Sequence, residues 1–91
     1  MALHDAMQEL MVLTMEECGE LIQECSKSLR KDSYLQNENL KKELGDVYAM
    51  IELMHEFDIV SWEELEERVK VKRKKLNCLL YTSPSPRDGL L

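Results

Sequence analysis

Leu10-Met11-Val12-Leu13-Thr14-Met15-Glu16-Glu17-Cys18-Gly19-Glu20-Leu21-Ile22-Gln23-Glu24-Cys25 carries the pattern that decides the fold of this 91-residue chain. Through and around it, apolar residues recur at steps of three and four: Leu3, Met7, Leu10, Met11, Cys18, Leu21, Ile22, Cys25 and Leu29. At 3.6 residues per turn, that spacing lays them along one stripe of a helix. The reading predicts a helix from about Ala2 to Leu29. Arg30-Lys31-Asp32-Ser33 ends it, with the cations placed favourably at the negative end of the helix dipole.

A connection through Tyr34 to Asn37 follows, and either Asn37 or Asn39 is suited to cap a second helix. Leu40, Leu44, Val47, Tyr48, Ile51, Met54 and Phe57 repeat the three- and four-residue steps. Asp58-Ile59-Val60 makes the next turn. Ser61-Trp62-Glu63-Glu64 is a capping box, Ser61 serving as N-cap and Glu64 reaching back from the third helical position. A third helix is expected to run to about Leu76, with Leu65, Val69 and Leu76 inward. Strand-like alternation is lacking. The expected fold class is all-α: an antiparallel helical hairpin plus a third helix, forming a helical bundle by oligomerisation. Fewer than about 80 residues rarely bury enough apolar surface to be stable alone, so a homodimer or homotetramer is expected.

The pattern stops at Cys78. Cys78-Leu79-Leu80-Tyr81-Thr82-Ser83-Pro84-Ser85-Pro86-Arg87-Asp88 holds both prolines of the chain and reads, over eleven consecutive residues, like a translated transposase-type sequencing adapter. Cloning scars are left out of fold reasoning. The expectation is one C-terminally truncated domain over residues 1–77 and an artefactual, disordered stretch over 78–91.

Composition narrows the function. Eighteen Asp/Glu against twelve Lys/Arg give a net charge of −6, and setting aside Asp88 and Arg87 leaves that balance unchanged. An acidic chain argues against general nucleic-acid binding, which needs a basic face for phosphates. No apolar run approaches the roughly 18–20 residues needed to span a bilayer, and no signal peptide precedes Asp5. Cys18 and Cys25 lie seven residues apart on one helix, about 10 Å at 1.5 Å per residue, beyond disulfide reach. Both read as reduced core residues of a cytoplasmic protein.

Two acidic clusters stand out: Glu16-Glu17-Cys18-Gly19-Glu20 and Glu43-Leu44-Gly45-Asp46. Glu17/Glu20 and Glu43/Asp46 are i,i+3 pairs, one turn apart on a shared face, where like charges weaken a helix by a few tenths of a kcal/mol per pair (roughly 0.2–0.5). Glu43 and Asp46 edge into the apolar stripe of their helix, and Glu17, Glu20 and Glu24 form a ridge beside theirs. Carboxylates at a core boundary must be paired, protonated or metal-bound. No Lys or Arg sits one turn from Glu17 or Glu20, and Lys41 and Lys42 are expected to point away from Glu43. A hard divalent cation with oxygen ligands, such as Mg²⁺, suits four such groups; an ordinary solvated acidic face is the alternative.

Glu16-Glu17-x-x-Glu20, then Glu43-x-x-Asp46 after 22 intervening residues, resembles the signature of the MazG-like all-α nucleoside triphosphate pyrophosphohydrolases. The similarity extends from about Leu10 to Lys75 and includes Glu20-Leu21-Ile22-Gln23-Glu24 and Leu44-Gly45-Asp46-Val47-Tyr48. It implies an obligate helical assembly that hydrolyses (d)NTPs between the α and β phosphates, releasing a monophosphate and pyrophosphate. Carried over, Glu17, Glu20, Glu43 and Asp46 are Mg²⁺ ligands, with Mn²⁺ as a substitute. Glu16 binds a further metal or orients the attacking water. Within the basic run Lys70 to Lys75, the resemblance places phosphate contacts at Lys72 and Lys75; a solvated helix end complementing its dipole is the alternative. The family usually continues past this segment, where the adapter-like string stands instead.

Two other function classes fit parts of the sequence. One is a non-catalytic acidic helical module binding a basic protein partner. The other is a di-iron bundle, for which Glu52-x-x-His55 has the spacing but lacks a second copy. Gly19 and Gly45 each cost a helix about 1 kcal/mol relative to Ala; beside the acids they could admit another helix or a phosphate, or be tolerated surface glycines.

Overall fold

The computed structural model describes residues 2–80. It is helical throughout, with α1 (Leu3–Lys31), α2 (Glu38–Glu56) and α3 (Trp62–Leu80), and the described residues include no strand. The chain divides into two units after Ile59. The first is the α1–α2 hairpin and the second contains α3.

Within the hairpin, the connection is held by one asparagine. Asn37 caps α2 by accepting from the Leu40 N–H at 3.0 Å. Its side-chain amide donates to the Ser28 hydroxyl and to the Ser33 carbonyl, both at 3.0 Å. Ser28 is only 3 % exposed and donates in turn to the Glu24 carbonyl at 2.8 Å. The end of α1 is thereby locked to the start of α2. At the far end Ala6 and Leu10 of α1 share a groove with Leu53 and Phe57, so the helices run antiparallel. Of the two capping asparagines the sequence allows, the structure uses Asn37. Asn37→Ala is expected to cost about 1–3 kcal/mol, combining a lost N-cap with a buried hydroxyl left short of a donor. Urea denaturation checks it, and Asn37→Asp, which keeps the cap, should lose less.

The seam between the helices takes up only part of the apolar stripes that the sequence suggests, Met7, Leu10 and Leu21 on α1 and Leu40, Val47 and Met54 on α2. The half-buried or buried positions of α1 include Met7, Leu10, Thr14, Glu17, Leu21, Glu24 and Ser28, and those of α2 include Leu40, Glu43, Val47, Met50, Met54 and Phe57. Both sets follow alternating three- and four-residue steps, the mark of two helices packed side by side. The more apolar stripe of α1 lies about 100° further round. There Ile22 is 69 % and Leu29 71 % exposed, Met11 and Met15 are open, and Cys25 is exposed rather than a core residue. Leu3, Leu44, Tyr48 and Ile51, also expected inward, are exposed. Among the described residues Leu10, 4 % exposed, is the only buried hydrophobic side chain.

The two open stripes lie on the same side of the hairpin. Each is offset by about 100° in its own helix's sense, and because the helices are antiparallel the two rotations carry them to one face. Residues offset the other way form the opposite, polar face.

The second unit is α3. Its capping box is formed as predicted: the Ser61 N–H donates to Glu64 Oε1 at 2.8 Å and the Glu64 N–H donates to Ser61 Oγ at 3.1 Å. Those bonds hold the Glu64 carboxyl below its ordinary pKa. A depressed carboxyl stabilises the fold above its unfolded pKa and loses that contribution as pH falls through the lower, folded value. Ser61→Ala should cost about 1 kcal/mol at neutral pH, and less once acid has protonated Glu64; helicity followed by circular dichroism against pH checks both.

Leu65 and Leu76 are half-buried, whereas Val69 is 52 % exposed. The helix continues to Leu80 rather than stopping near Leu76, so Cys78, Leu79 and Leu80 are helical, not disordered. No breaker interrupts this stretch; the first proline is Pro84. The rest of the adapter-like string lies outside the described residues.

Candidate metal centre

Glu17, Glu20, Glu43 and Asp46 converge. Each offers a carboxylate oxygen, and those oxygens all lie within 4.8 Å of one another. The cluster sits near the middle of the hairpin: Glu17 is seven residues beyond Leu10, and Ser28 is eight residues beyond Glu20. Glu17 and Glu43 occupy seam positions, while Glu20 and Asp46, each three residues on, fall about 60° toward the polar face. Helical spacing alone therefore delivers two acids to each side of one point. Glu17, Glu43 and Asp46 are half-buried and Glu20 is exposed.

The electrostatics follow from that crowding. Burial comes first in raising the Glu17 carboxyl above its ordinary pKa, and Glu20, Asp46 and Glu43 add to the rise against an opposing pull from Lys42. Glu43 is raised as well, chiefly by burial; Lys42 pulls it down and Glu20 pushes it up. Its side chain is 13 % exposed, and its Oε1 is buried without a hydrogen-bond partner. Three other polar seam residues are satisfied locally: Thr14 donates to the Leu10 carbonyl at 2.7 Å, Ser28 to the Glu24 carbonyl, and Glu24 pairs with Lys27 at 3.3 Å. Glu43 is the exception, and its orphaned oxygen lies in the acidic cluster.

Lys42 corrects an expectation. Its ammonium does not point away: it donates to Asp46 Oδ2 at 3.2 Å and to Glu43 Oε2 at 3.5 Å. The hydrogen bond to Asp46 leads the causes that raise its pKa. Lys42 and Asp46 are an i,i+4 pair, and a flexible four-carbon stem spans that step readily. That spacing is the signal present in the sequence. One cation against four carboxylates still leaves the cluster strongly negative, and four hard oxygen donors with one unpaired buried oxygen suit Mg²⁺ or Mn²⁺.

The remaining residues separate clearly. Glu16 is exposed and outside the converging set. Lys72 and Lys75 are exposed on α3. Among the described residues, Glu52 and His55 belong to no converging group of three metal-ligating side chains. A Cβ added at Gly19 or Gly45 would meet nothing within 4 Å, so neither glycine admits a close neighbour within the described structure. Gly45→Ala should accordingly stabilise the hairpin by about 0.5–1 kcal/mol in thermal or urea unfolding.

No family model matches the chain, and searches among curated proteins and solved structures find no match either. What the fold and the site define is an all-α hairpin that gathers four carboxylates at its middle. No described helix is long and apolar enough to cross a membrane.

Proposed function

We propose that this chain is a Mg²⁺-dependent nucleotide pyrophosphohydrolase, cleaving nucleoside triphosphates to the monophosphate and pyrophosphate. The observation that carries the reading is the convergence of Glu17, Glu20, Glu43 and Asp46 to within 4.8 Å. The order and spacing of the acids, which resemble the MazG-like signature, support it.

In this reading the four carboxylates hold the cation, which when bound neutralises phosphate charge and lowers the pKa of water. Glu17 and Glu43, set into the seam, would hold the ion from the hairpin side, and Glu20 and Asp46 would hold it from the polar face, where substrate can approach. Lys42 is within reach of the same oxygens and can turn from Asp46 to a phosphate as substrate arrives. Glu16, next to the cluster in sequence, orients the attacking water. No Ser-His or Cys-His pair is needed, because water is the nucleophile. Lys72 and Lys75 remain the proposed phosphate contacts on α3.

The assembly expectation belongs here too. The open face carrying Met15, Ile22, Leu29, Leu44 and Tyr48 is too apolar to leave in water, and a second copy of this chain is its proposed partner, giving a homodimer or homotetramer. The proposed location is cytoplasmic, on the reading of Cys18 and Cys25 as reduced thiols. The test is pyrophosphate release from a panel of NTPs and dNTPs by the full chain with Mg²⁺ or Mn²⁺, with and without EDTA. Absence of metal-dependent release across the panel would sink the reading and favour an acidic interaction module instead.

A further inference from the structure

The polar face of the hairpin carries three different surfaces in a row. Toward the start of α1 lies a groove of about 200 Å³ lined by Ala6, Glu9, Leu10, Leu13, Leu53 and Phe57. The acidic cluster comes next. Beyond it, at the α1–α2 connection, a cavity of about 350 Å³ is lined by Lys27, Arg30, Lys31, Ser33 and Asn39 together with Glu24, which pairs with Lys27 at 3.3 Å and leaves the lining net positive. Leu13 is four residues before Glu17, about 6 Å along the axis, and Lys27 is seven residues after Glu20, about 10 Å. All three surfaces fall on the same side, because Glu9, Leu13, Glu20, Lys27, Lys31 and Asn39 are each offset from the seam in the same sense.

We infer that the groove takes the base of a nucleoside triphosphate, fixing the direction in which the substrate lies along the hairpin. This rests on the proposed function. Apolar, acidic and basic surfaces in that order match a base, metal-bridged phosphates and the outermost phosphate. Phe57 offers a ring for stacking, and such contacts tolerate any base because each has a π-face. Glu9 is the groove's one charged residue and only accepts hydrogen bonds when ionised. A carboxylate pairs with an exocyclic amino group, so a base bearing one is preferred over uracil or thymine.

The test compares nucleoside triphosphates with inorganic tripolyphosphate, which has no base, using the full chain with Mg²⁺. Phe57→Leu and Leu13→Gln should raise KM for nucleoside triphosphates about tenfold, leaving the inhibition constant of tripolyphosphate unchanged. Glu9→Gln, at an exposed position, should narrow the preference for dCTP over dUTP about fivefold. Equal changes for nucleotide and tripolyphosphate, or no change in KM, would overturn the assignment while leaving the hydrolase reading intact. A change in oligomeric mass in the Leu13 variant would assign the groove to a second copy and also overturn it. If the unaltered protein releases no pyrophosphate from any nucleotide, the hydrolase reading falls first and the base site with it.

Discussion

Glu43→Ala or Asp46→Ala is expected to lower kcat/KM for nucleotide hydrolysis by about a hundredfold or more, with circular dichroism showing the helices intact. The scale follows from metal sites generally, where even residues behind the ligands cost about 10–100-fold when removed. Glu43 should be the more sensitive of the two. Its Oε1 is buried and unpartnered and its Oε2 meets Lys42 only at 3.5 Å, whereas Asp46 pairs with Lys42 at 3.2 Å. Pyrophosphate release measured at saturating and limiting substrate checks the prediction. An unaffected rate in both variants would remove the acids from the reaction.

The second large effect is on stability. On the proposed metal reading, Mg²⁺ would bind the folded cluster and not the dispersed acids of the unfolded chain, so at a hundred times its Kd it should add about 2.7 kcal/mol. For a domain of this size that raises Tm by roughly 10–20 °C. Glu43→Leu should abolish the rise and, without metal, should make the hairpin more stable than the unaltered protein. The reason is that it replaces a buried carboxylate, raised by desolvation and by Glu20, with an apolar side chain in the same seam. Scanning calorimetry with Mg²⁺ and with EDTA reads both halves. An acidic face that merely sits in solvent would give neither.

Much of this site is legible in the sequence, because its geometry is local. An i,i+3 pair faces one way in any helix, so Glu17 with Glu20 and Glu43 with Asp46 need only to be helical. Their meeting requires one further fact, that the two helices pack along those faces. Lys42 shows where adjacency misleads: its neighbour Glu43 suggests a side chain turned away, but its i,i+4 relation to Asp46 decides where the ammonium goes. The groove at Leu13, Leu53 and Phe57 has no signature, since its residues come from the start of one helix and the end of another.

What the sequence alone determined is the set of three helices, a cap at Asn37 or Asn39, the Ser61–Glu64 box and the spacing of the acids, all consequences of hydrogen bonds and periodicity within a few residues. The choice between two stripes on α1 belonged to the tertiary structure. The apolar stripe read from the sequence holds Met7, Leu10 and Leu21 but also Met11, Cys18, Ile22, Cys25 and Leu29, and the hairpin closes over the first three together with Thr14, Glu17, Glu24 and Ser28. The bond from Asn37 to Ser28 sets that rotation at the connection. Which face the carboxylates share is decided by packing between residues distant in sequence, of which this bond across a turn is one part.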